Sequence, residues 1–537
     1  MLLGKYYNSL NGLQQATSKL LGVEVAFEEV LSSVSFCDSR FGDISTNLAL
    51  QKAKKLGQSP REVAEKLVAI LEEGGKFASC EVAGIGFVNL RLRDADYIDL
   101  LEELKAGFFK SDVGSDRRVN VEFISANPTG PLVLVNAWSG YYGDILSSFF
   151  ESQGYGVTRE YYLNDGGRQI FQLGRAVQQA AGAKFDDETA AELYRGEYVD
   201  ELAARLMITF GSEESLLSAD PQAVGDQAQA IVLEEYIKPT LKRLAIHHDK
   251  IYPETCLDNQ VTLERLHKTK AVVEKDGAIW LSGERAGLDK DEVLVRSTDS
   301  EDTYFLKDIS YQLTKLEARK YDLAITIVGP DHHGQEQRLV AALHLLGHDG
   351  FVPLWTQAVR LVKDGQEFKM SKRRGNYILL DDFLDIVPSE TARFFFAMRD
   401  TNGHFDLDLD LVATQNKHNP MFYVMYSYAR ASSVLTKLGS LDPPKSFVLD
   451  AEQKQILCSF VELAKLIGQA TRTYQVHPVL HQMIEAARLF HDWYEKNPVI
   501  KEADTDLQAS RAEFVRRYRD ALGSVFKLIG IQPQAKM

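Results

Sequence analysis

The period of the hydrophobic positions changes along the chain, and the changes divide it. Between Gly86 and Leu92 apolar and polar residues alternate, with Val88, Leu90 and Leu92 on one face, as in a half-buried strand. Pro60 to Leu71 instead has the apolar spacing of an amphipathic helix. Residues 1 to about 112 therefore read as a small α+β domain. Gly114-Ser115-Asp116 marks a turn, after which Val119, Val121 and Phe123 alternate with polar neighbours and predict a strand. Pro128, Gly130 and Pro131 exclude helix from the next segment. A helix is expected from near Asn136 to Gly154, with Ile145, Leu146, Phe149 and Phe150 on its buried stripe and Gly154 as a left-handed stop.

Strand, tight loop, helix is the opening unit of a nucleotide-binding α/β sheet, with the ligand at the loop. A second unit follows at the apolar strand Leu323 to Val328, the turn Gly329-Pro330-Asp331 and a helix from Gln335 to Leu346. Between them, residues from about 172 to 300 are rich in helical segments, end in the strand-like Glu292 to Arg296, and read as an insertion. From about Leu411 the pattern is helical throughout, with candidate helices at 420–435, 451–474, 478–495 and 507–529. The expected fold class is α/β. A Rossmann-like parallel-sheet domain (113–410) is flanked by an N-terminal α+β domain (1–112) and a C-terminal all-α bundle (411–537).

Size agrees, since 537 residues exceed what one core serves. The formal charge of -15 repels a polyanion at long range, yet binding needs only a local basic surface. No run approaches the ~18 apolar residues of a membrane span, and the N-terminus lacks the plan of a secretory signal, so a cytoplasmic protein without membrane association is expected. Cys37, Cys80, Cys256 and Cys458 are widely separated and form no Cys-x-x-Cys pair, which predicts reduced, mostly buried thiols and no bound metal.

Candidate chemistry concentrates in Lys369-Met370-Ser371-Lys372-Arg373-Arg374-Gly375-Asn376, just after an Asp364-Gly365 hairpin turn. Two lysines flanking a small hydroxyl residue suit a triphosphate, whose charge moves toward the leaving pyrophosphate. A solvated basic turn explains the same run about as well. Tyr304 and Asp308, four apart, would share one helix face, and Asp308 offers a carboxylate to a cationic ligand. On spacing alone, a core tyrosine beside a surface acid is the commoner explanation. His332 and His333 are adjacent and so point apart, with no third ligand at metal spacing. Arg511, Arg516, Arg517 and Arg519 lie among Phe514 and Tyr518; such a run is usually a solvated face, but it also suits phosphate contact with base stacking.

Several strings together resemble arginyl-tRNA synthetases, a family of class I aminoacyl-tRNA synthetases. They are Ser125-Ala126-Asn127-Pro128-Thr129-Gly130-Pro131-Leu132 with Gly143-Asp144; Tyr161 to Gly167; Tyr304-Phe305-Leu306-Lys307-Asp308; Gly329 to Gly334; the lysine loop; and Ala392-Arg393-Phe394-Phe395-Phe396. Phe41 to Asn47 and Gly86 to Asn89 resemble that family's N-terminal tRNA-contacting domain, and Asn419 to Tyr426 with Ala429-Arg430 its helical anticodon-binding domain. The resemblance implies an arginine-tRNA ligase that uses ATP with Mg²⁺, forms arginyl-adenylate, and passes the arginyl group to the terminal adenosine of tRNA(Arg). It implies arginine binding by Ser125, Asn127, Tyr304 and Asp308, and phosphate stabilisation by Lys369, Lys372 and Asn136. Gly329, Asp331, His332, Met370 and Ser371 would meet the nucleotide. Asn47, Asn89, Tyr426, Arg430 and Arg516 would meet tRNA. A monomer is expected.

One stretch departs from the family. Class I enzymes carry His-x-Gly-His at the start of the first helix; this chain has Val133-Leu134-Val135-Asn136, and Trp138-Ser139 where Arg-Gly is expected. Losing one preorganised donor costs about 10²–10³ in rate. The alternative to a ligase is thus a silent relative that binds tRNA or arginine without charging. A cysteine enzyme would need a zinc site and a glutamine enzyme no carboxylate, so both fit poorly.

Overall fold

Five strands build the sheet that carries the predicted chemistry: β1 (Arg118–Glu122), β2 (Gly156–Leu163), β3 (Lys250–Pro253), β4 (Leu323–Val328) and β5 (Phe351–Trp355). The computed structural model describes residues 6–36, 41–105, 107–296, 302–329, 335–368, 378–401 and 403–537. All four strand pairings are parallel, in the order β5-β4-β1-β2-β3, with Val121 opposite both Ile325 and Arg159. The chain therefore winds outward from β1 in both directions. Where the direction reverses, between β1 and β4, the loops diverge and leave a crevice at the strands' carboxyl ends.

Helix α1 (Leu134–Ser152) follows β1, α2 (Tyr304–Leu313) precedes β4, and α3 (Gln335–Leu345) joins β4 to β5. Ile145, Leu146, Phe149 and Phe150 of α1 are fully buried, as the stripe predicts. α1 begins two residues earlier than expected, because Asn136 Oδ1 accepts from the Val133 N–H at 2.9 Å, half of a capping box. Its close approach to the sheet needs Gly143, where a Cβ would fall 2.4 Å from the Phe123 ring. The insertion contributes to the sheet itself. Its helices Arg168–Ala180 and Pro221–Ile231 pack together, but β3 lies within it and adds the sheet's edge strand. A further three-stranded antiparallel sheet is formed by Val272–Lys275, Ala278–Leu281 and Glu292–Val295. The Asp364-Gly365 turn takes φ of 52° and 72°, as a tight hairpin requires, and joins Val359–Lys363 to Gln366–Glu367.

The chain divides into two compact units: residues 115–151 with 155–414, holding this sheet, and residues 1–114, 152–154 and 415–537. The second unit draws on both chain ends. It contains a four-stranded antiparallel sheet (Val34–Phe36, Ile44–Thr46, Phe87–Arg91, Ser79–Ala83) and the long helices Pro420–Leu438, Ala451–Thr473, His477–Lys496 and Thr505–Leu528. Lys465 Nζ donates to Val34 O at 2.8 Å, and Lys454 pairs with Asp94 at 2.6 Å. Contacts so distant in sequence leave no trace in local periodicity. Phe514 and Tyr518 correct a sequence expectation. Both are fully buried, with Tyr518 stacked on Phe490 at 3.9 Å, so neither is available to stack on a nucleotide. Cys80 and Cys458 are buried free thiols, Cys256 is an exposed one, and Cys37 lies outside the described residues. Among the described residues no helix is long and apolar enough to cross a membrane.

Candidate active site

The backbone leaves β1 through two consecutive left-handed residues, Ile124 (φ 71°) and Ser125 (φ 39°). A branched side chain in that region costs about 1–3 kcal/mol and persists only where its surroundings enforce it. Here they do: Ser125 Oγ donates to Glu122 Oε1 at 3.0 Å and accepts from the Tyr162 N–H at 3.1 Å, while Tyr161 donates to Ala126 O. The turn aims Ser125 and Asn127 into a cavity of about 1130 Å³ at the switch point.

That cavity gathers residues that the sequence places far apart. Ser125, Asn127, Asn136, Tyr304, Asp308 and Gly329 all line it. Tyr304 and Asp308 share one face of α2, as their spacing predicts, and Tyr304 is 47% exposed to the open space. Four further carboxylates line the same cavity: Glu122 at the end of β1, Glu254 just after β3, Glu336 in the first turn of α3, and Glu367 just after the Asp364-Gly365 turn. The sequence reading missed all four. Glu122 carried a signal, since a central parallel strand covered on both faces seldom holds an acid. Glu254 and Glu336 are assembled by the sheet order alone.

The three carboxylates that act on Asp308, Glu122, Glu254 and Glu336, have defined environments. Lys315 Nζ lies 2.7 Å from Glu122 Oε2, and Lys307 Nζ lies 2.7 Å from Glu254 Oε1. Tyr162 donates to Glu254 Oε2 at 3.1 Å, and Trp355 Nε1 to Glu336 Oε2 at 3.3 Å. The Asp308 carboxyl is pushed up to about 8, first by removal from water and then by Glu122, Glu254 and Glu336, with Lys307 opposing the shift. A cavity walled by carboxylates, one of them short of a counter-charge, suits a ligand that brings positive charge.

The altered loop has a structural explanation. Val133 forms a bridge with Leu379, Leu134 N donates to Ile378 O at 3.0 Å, and Leu380 N donates to Leu132 O at 2.9 Å. The start of α1 is thereby stitched to the segment leaving the lysine loop. Because the Val133 N–H must meet an oxygen, the Asn136 carboxamide is fixed with Oδ1 toward the backbone, which leaves Nδ2 as its donor. Trp138 does not line the cavity. It is fully buried, with Phe405 at 5.4 Å and Phe396 at 6.2 Å, and fills core volume. Lys369, Met370, Ser371, Lys372, Asp331 and His332 lie outside the described residues.

Two of the quoted strings meet for packing. Arg393, 1% exposed, donates to Asp144 Oδ2 at 2.6 Å and to the carbonyls of Leu244 and Ala245; Arg159 donates to Asp144 Oδ1 at 3.1 Å. This network anchors the middle of α1 beneath the cavity.

In the other unit, Tyr426 is 40% exposed, and the Arg430 guanidinium covers its ring at 4.8 Å while contacting His491 Nδ1 at 3.0 Å. Arg516 pairs with Glu513 on its own helix. Asn89 occupies a central strand opposite Ser45 and Glu81, and Asn47 Oδ1 accepts from Gln51 Nε2 at 2.8 Å. Among the described residues no group of three or more His, Cys, Asp or Glu is placed to hold a metal ion.

A doubly wound sheet with a cavity at its switch point has the architecture of nucleotide-binding α/β proteins. Comparison with known proteins is more specific. Residues 10–92 match the arginyl tRNA synthetase N terminal domain, and residues 424–537 the DALR anticodon binding domain. The arginine–tRNA ligase of Chlorobium phaeovibrioides is 34% identical over 531 residues, covering 93% of this chain and 94% of its own. That of Symbiobacterium thermophilum is 35% identical over 518 residues, covering 92% of each. Among solved structures, a putative arginyl-tRNA synthetase from Campylobacter jejuni superposes with a TM-score of 0.75 at 28% identity, covering 82% of this chain and 99% of its own. The Thermus thermophilus arginyl-tRNA synthetase shares the fold, with a TM-score of 0.78 at 19% identity over 98% of this chain and 100% of its own. The chain belongs to the arginyl-tRNA synthetase family.

Proposed function

We infer that this protein ligates L-arginine to its tRNA at the expense of ATP. The arginine carboxylate attacks the α-phosphorus, forming arginyl-adenylate and releasing pyrophosphate. A hydroxyl of the tRNA's terminal ribose then attacks the acyl carbon, and AMP leaves. The acyl carbon is already activated, so no covalent enzyme intermediate is needed. The observation that carries this reading is the Asp308 carboxylate on the wall of the same cavity as Asn136, at the sheet's switch point.

In this account Asp308 and Tyr304 hold the guanidinium, and Ser125 and Asn127 hold the reacting end of arginine. Asn136, Lys369 and Lys372 stabilise the phosphates, with Lys372 following charge onto pyrophosphate. Gly329, Asp331, His332, Met370 and Ser371 serve the nucleotide. Mg²⁺ arrives on the ATP phosphates rather than in a protein cage. Asn47, Asn89, Tyr426, Arg430 and Arg516 contact tRNA(Arg), Tyr426 by presenting a ring capped by Arg430. The protein acts in the cytoplasm as a monomer. Purified protein given ATP, labelled arginine and total tRNA is expected to accumulate acid-precipitable label; tRNA binding with no label would overturn the reading in favour of a silent relative.

Arginine binding should release a proton. The guanidinium takes the carboxylate form of Asp308, whereas in the empty cavity that carboxyl stays protonated up to about pH 8. Below that pH, binding must expel the proton. The affinity for arginine should therefore rise about tenfold per pH unit between about pH 6 and 8 and level off above. Calorimetric titration in buffers of different ionisation enthalpy measures both the affinity and the proton. A flat profile with no proton release contradicts the role given to Asp308.

A further inference from the structure

Lys315 is fully buried, an uncommon place for an ammonium. It is carried there by a π-helical turn, Thr314–Ala318, that continues α2; such turns in an α-helix concentrate at functional sites. Nζ lies 2.7 Å from Glu122 Oε2, 3.5 Å from Thr326 Oγ1 and 4.1 Å from the centre of the Tyr311 ring. Glu122 also accepts from Thr326 Oγ1 at 2.9 Å and from Ser125 Oγ at 3.0 Å. Three of its four acceptor positions are thus filled from within the protein, and it still lines the cavity.

Of the cavity's carboxylates, Glu122, Glu254 and Glu336 act on Asp308, and Lys315 and Lys307 pair with the first two of them. On the function proposed above, the guanidinium of arginine meets Asp308, so a charge left uncancelled on Glu122 bears directly on that contact.

We propose that Lys315 is a positioning residue that sets the charge of the arginine site: by neutralising Glu122 from the continuation of α2, it keeps Asp308 available as the anion that meets the substrate. Among the described residues, the charged and titratable groups acting on Asp308 are Glu122 from β1, Glu254 after β3, Glu336 from α3 and Lys307 beside it on α2, with Tyr162 of β2 also within electrostatic reach. Removing the ammonium behind Glu122 adds one negative charge to this set. That charge raises the cost of ionising Asp308, so arginine must expel a more tightly held proton.

The test is the pH dependence of arginine affinity in Lys315→Met, Glu122→Gln and the Lys315→Met/Glu122→Gln double variant, each checked for a cooperative thermal transition. Lys315→Met should move the midpoint of the profile upward by about one unit, weakening arginine binding about tenfold near pH 7 and much less near pH 9. Glu122→Gln should move the midpoint downward, because Lys315 is then left uncancelled. The double variant, neutral for neutral, should return the midpoint toward wild type. Equal weakening at every pH in Lys315→Met, or a double variant that keeps its displaced midpoint, would overturn the proposal. If Lys315→Met does not fold, the downward midpoint of Glu122→Gln and its return toward wild type in the double variant still decide: an unmoved midpoint in Glu122→Gln, or a double variant displaced as far as Glu122→Gln, overturns it. Wild-type protein that binds no arginine at any pH refutes the proposed function itself, a different failure from a bound arginine whose midpoint ignores Lys315.

Discussion

Asp308→Asn should lower kcat/KM for arginine by about 10²–10³-fold and leave the KM for ATP within about twofold. Asparagine keeps the shape and one acceptor but removes the charge. Truncating one partner of a desolvated charged pair costs about 2–5 kcal/mol, and most of that cost falls on the partner left without its counter-ion. Two of the neighbouring carboxylates cannot substitute freely: Glu122 is held by Lys315 and Glu254 by Lys307, both at 2.7 Å. The loss should appear in pyrophosphate exchange measured with tRNA present, and the pH dependence of arginine binding should vanish with the carboxyl. Because Asp308 sits among three acids that make its ionisation costly, the variant should also be at least as stable to heat as wild type near pH 8 and above. The sign follows from the linkage: a carboxyl whose folded value is raised to about 8 loses stability as pH climbs from its unfolded value near 4 toward 8, and asparagine removes that loss. An equal decline in the arginine and ATP parameters would mean that Asp308 serves the fold rather than the substrate.

Asn136→Ala should lower kcat by about 10²–10³-fold with little change in the KM for arginine. Alanine removes two things at once, the Nδ2 donor and the Oδ1 acceptor that caps the Val133 N–H at 2.9 Å. The cap is worth about 1 kcal/mol of stability. Asn136→Asp separates them. Aspartate keeps an acceptor for the cap and puts an anion where a donor to phosphate stood, so it should match wild-type stability and be at least as slow as alanine. An aspartate variant with near wild-type turnover would reduce Asn136 to a helix cap and leave phosphate stabilisation to the lysine loop.

Much of this arrangement is written locally. The alternation around Val119 and Val121, the apolar run Leu323–Val328 and the stripe of α1 define the two halves of the sheet, and the four long C-terminal helices begin and end within a few residues of their expected limits. Tyr304 and Asp308 reach the cavity together because helical spacing puts them on one face. Other features depend on which strands become neighbours. Glu254 reaches Asp308 only because β3 adds to the edge beyond β2, and no periodicity in the insertion announces that pairing. The burial of Phe514 and Tyr518 is of the same kind: helical spacing shows that they share a region of one helix, and only the packing of Phe490 against Tyr518 shows which face is inside. Trp138, met as an oddity in the altered loop, is core filling because Asn136 and Ser139, three apart, share the face of α1 that lines the cavity, whereas Trp138, two residues after Asn136, turns to the opposite face.

The central claim is that an arginine cage and a phosphate-binding helix start share one crevice between β1 and β4. A crystal structure of the protein with a non-hydrolysable arginyl-adenylate analogue tests it most directly. The account predicts the guanidinium on the Asp308 carboxylate and a phosphate oxygen within hydrogen-bonding distance of Asn136 Nδ2. An analogue bound with its guanidinium away from Asp308, or with its phosphate remote from the start of α1, would contradict it.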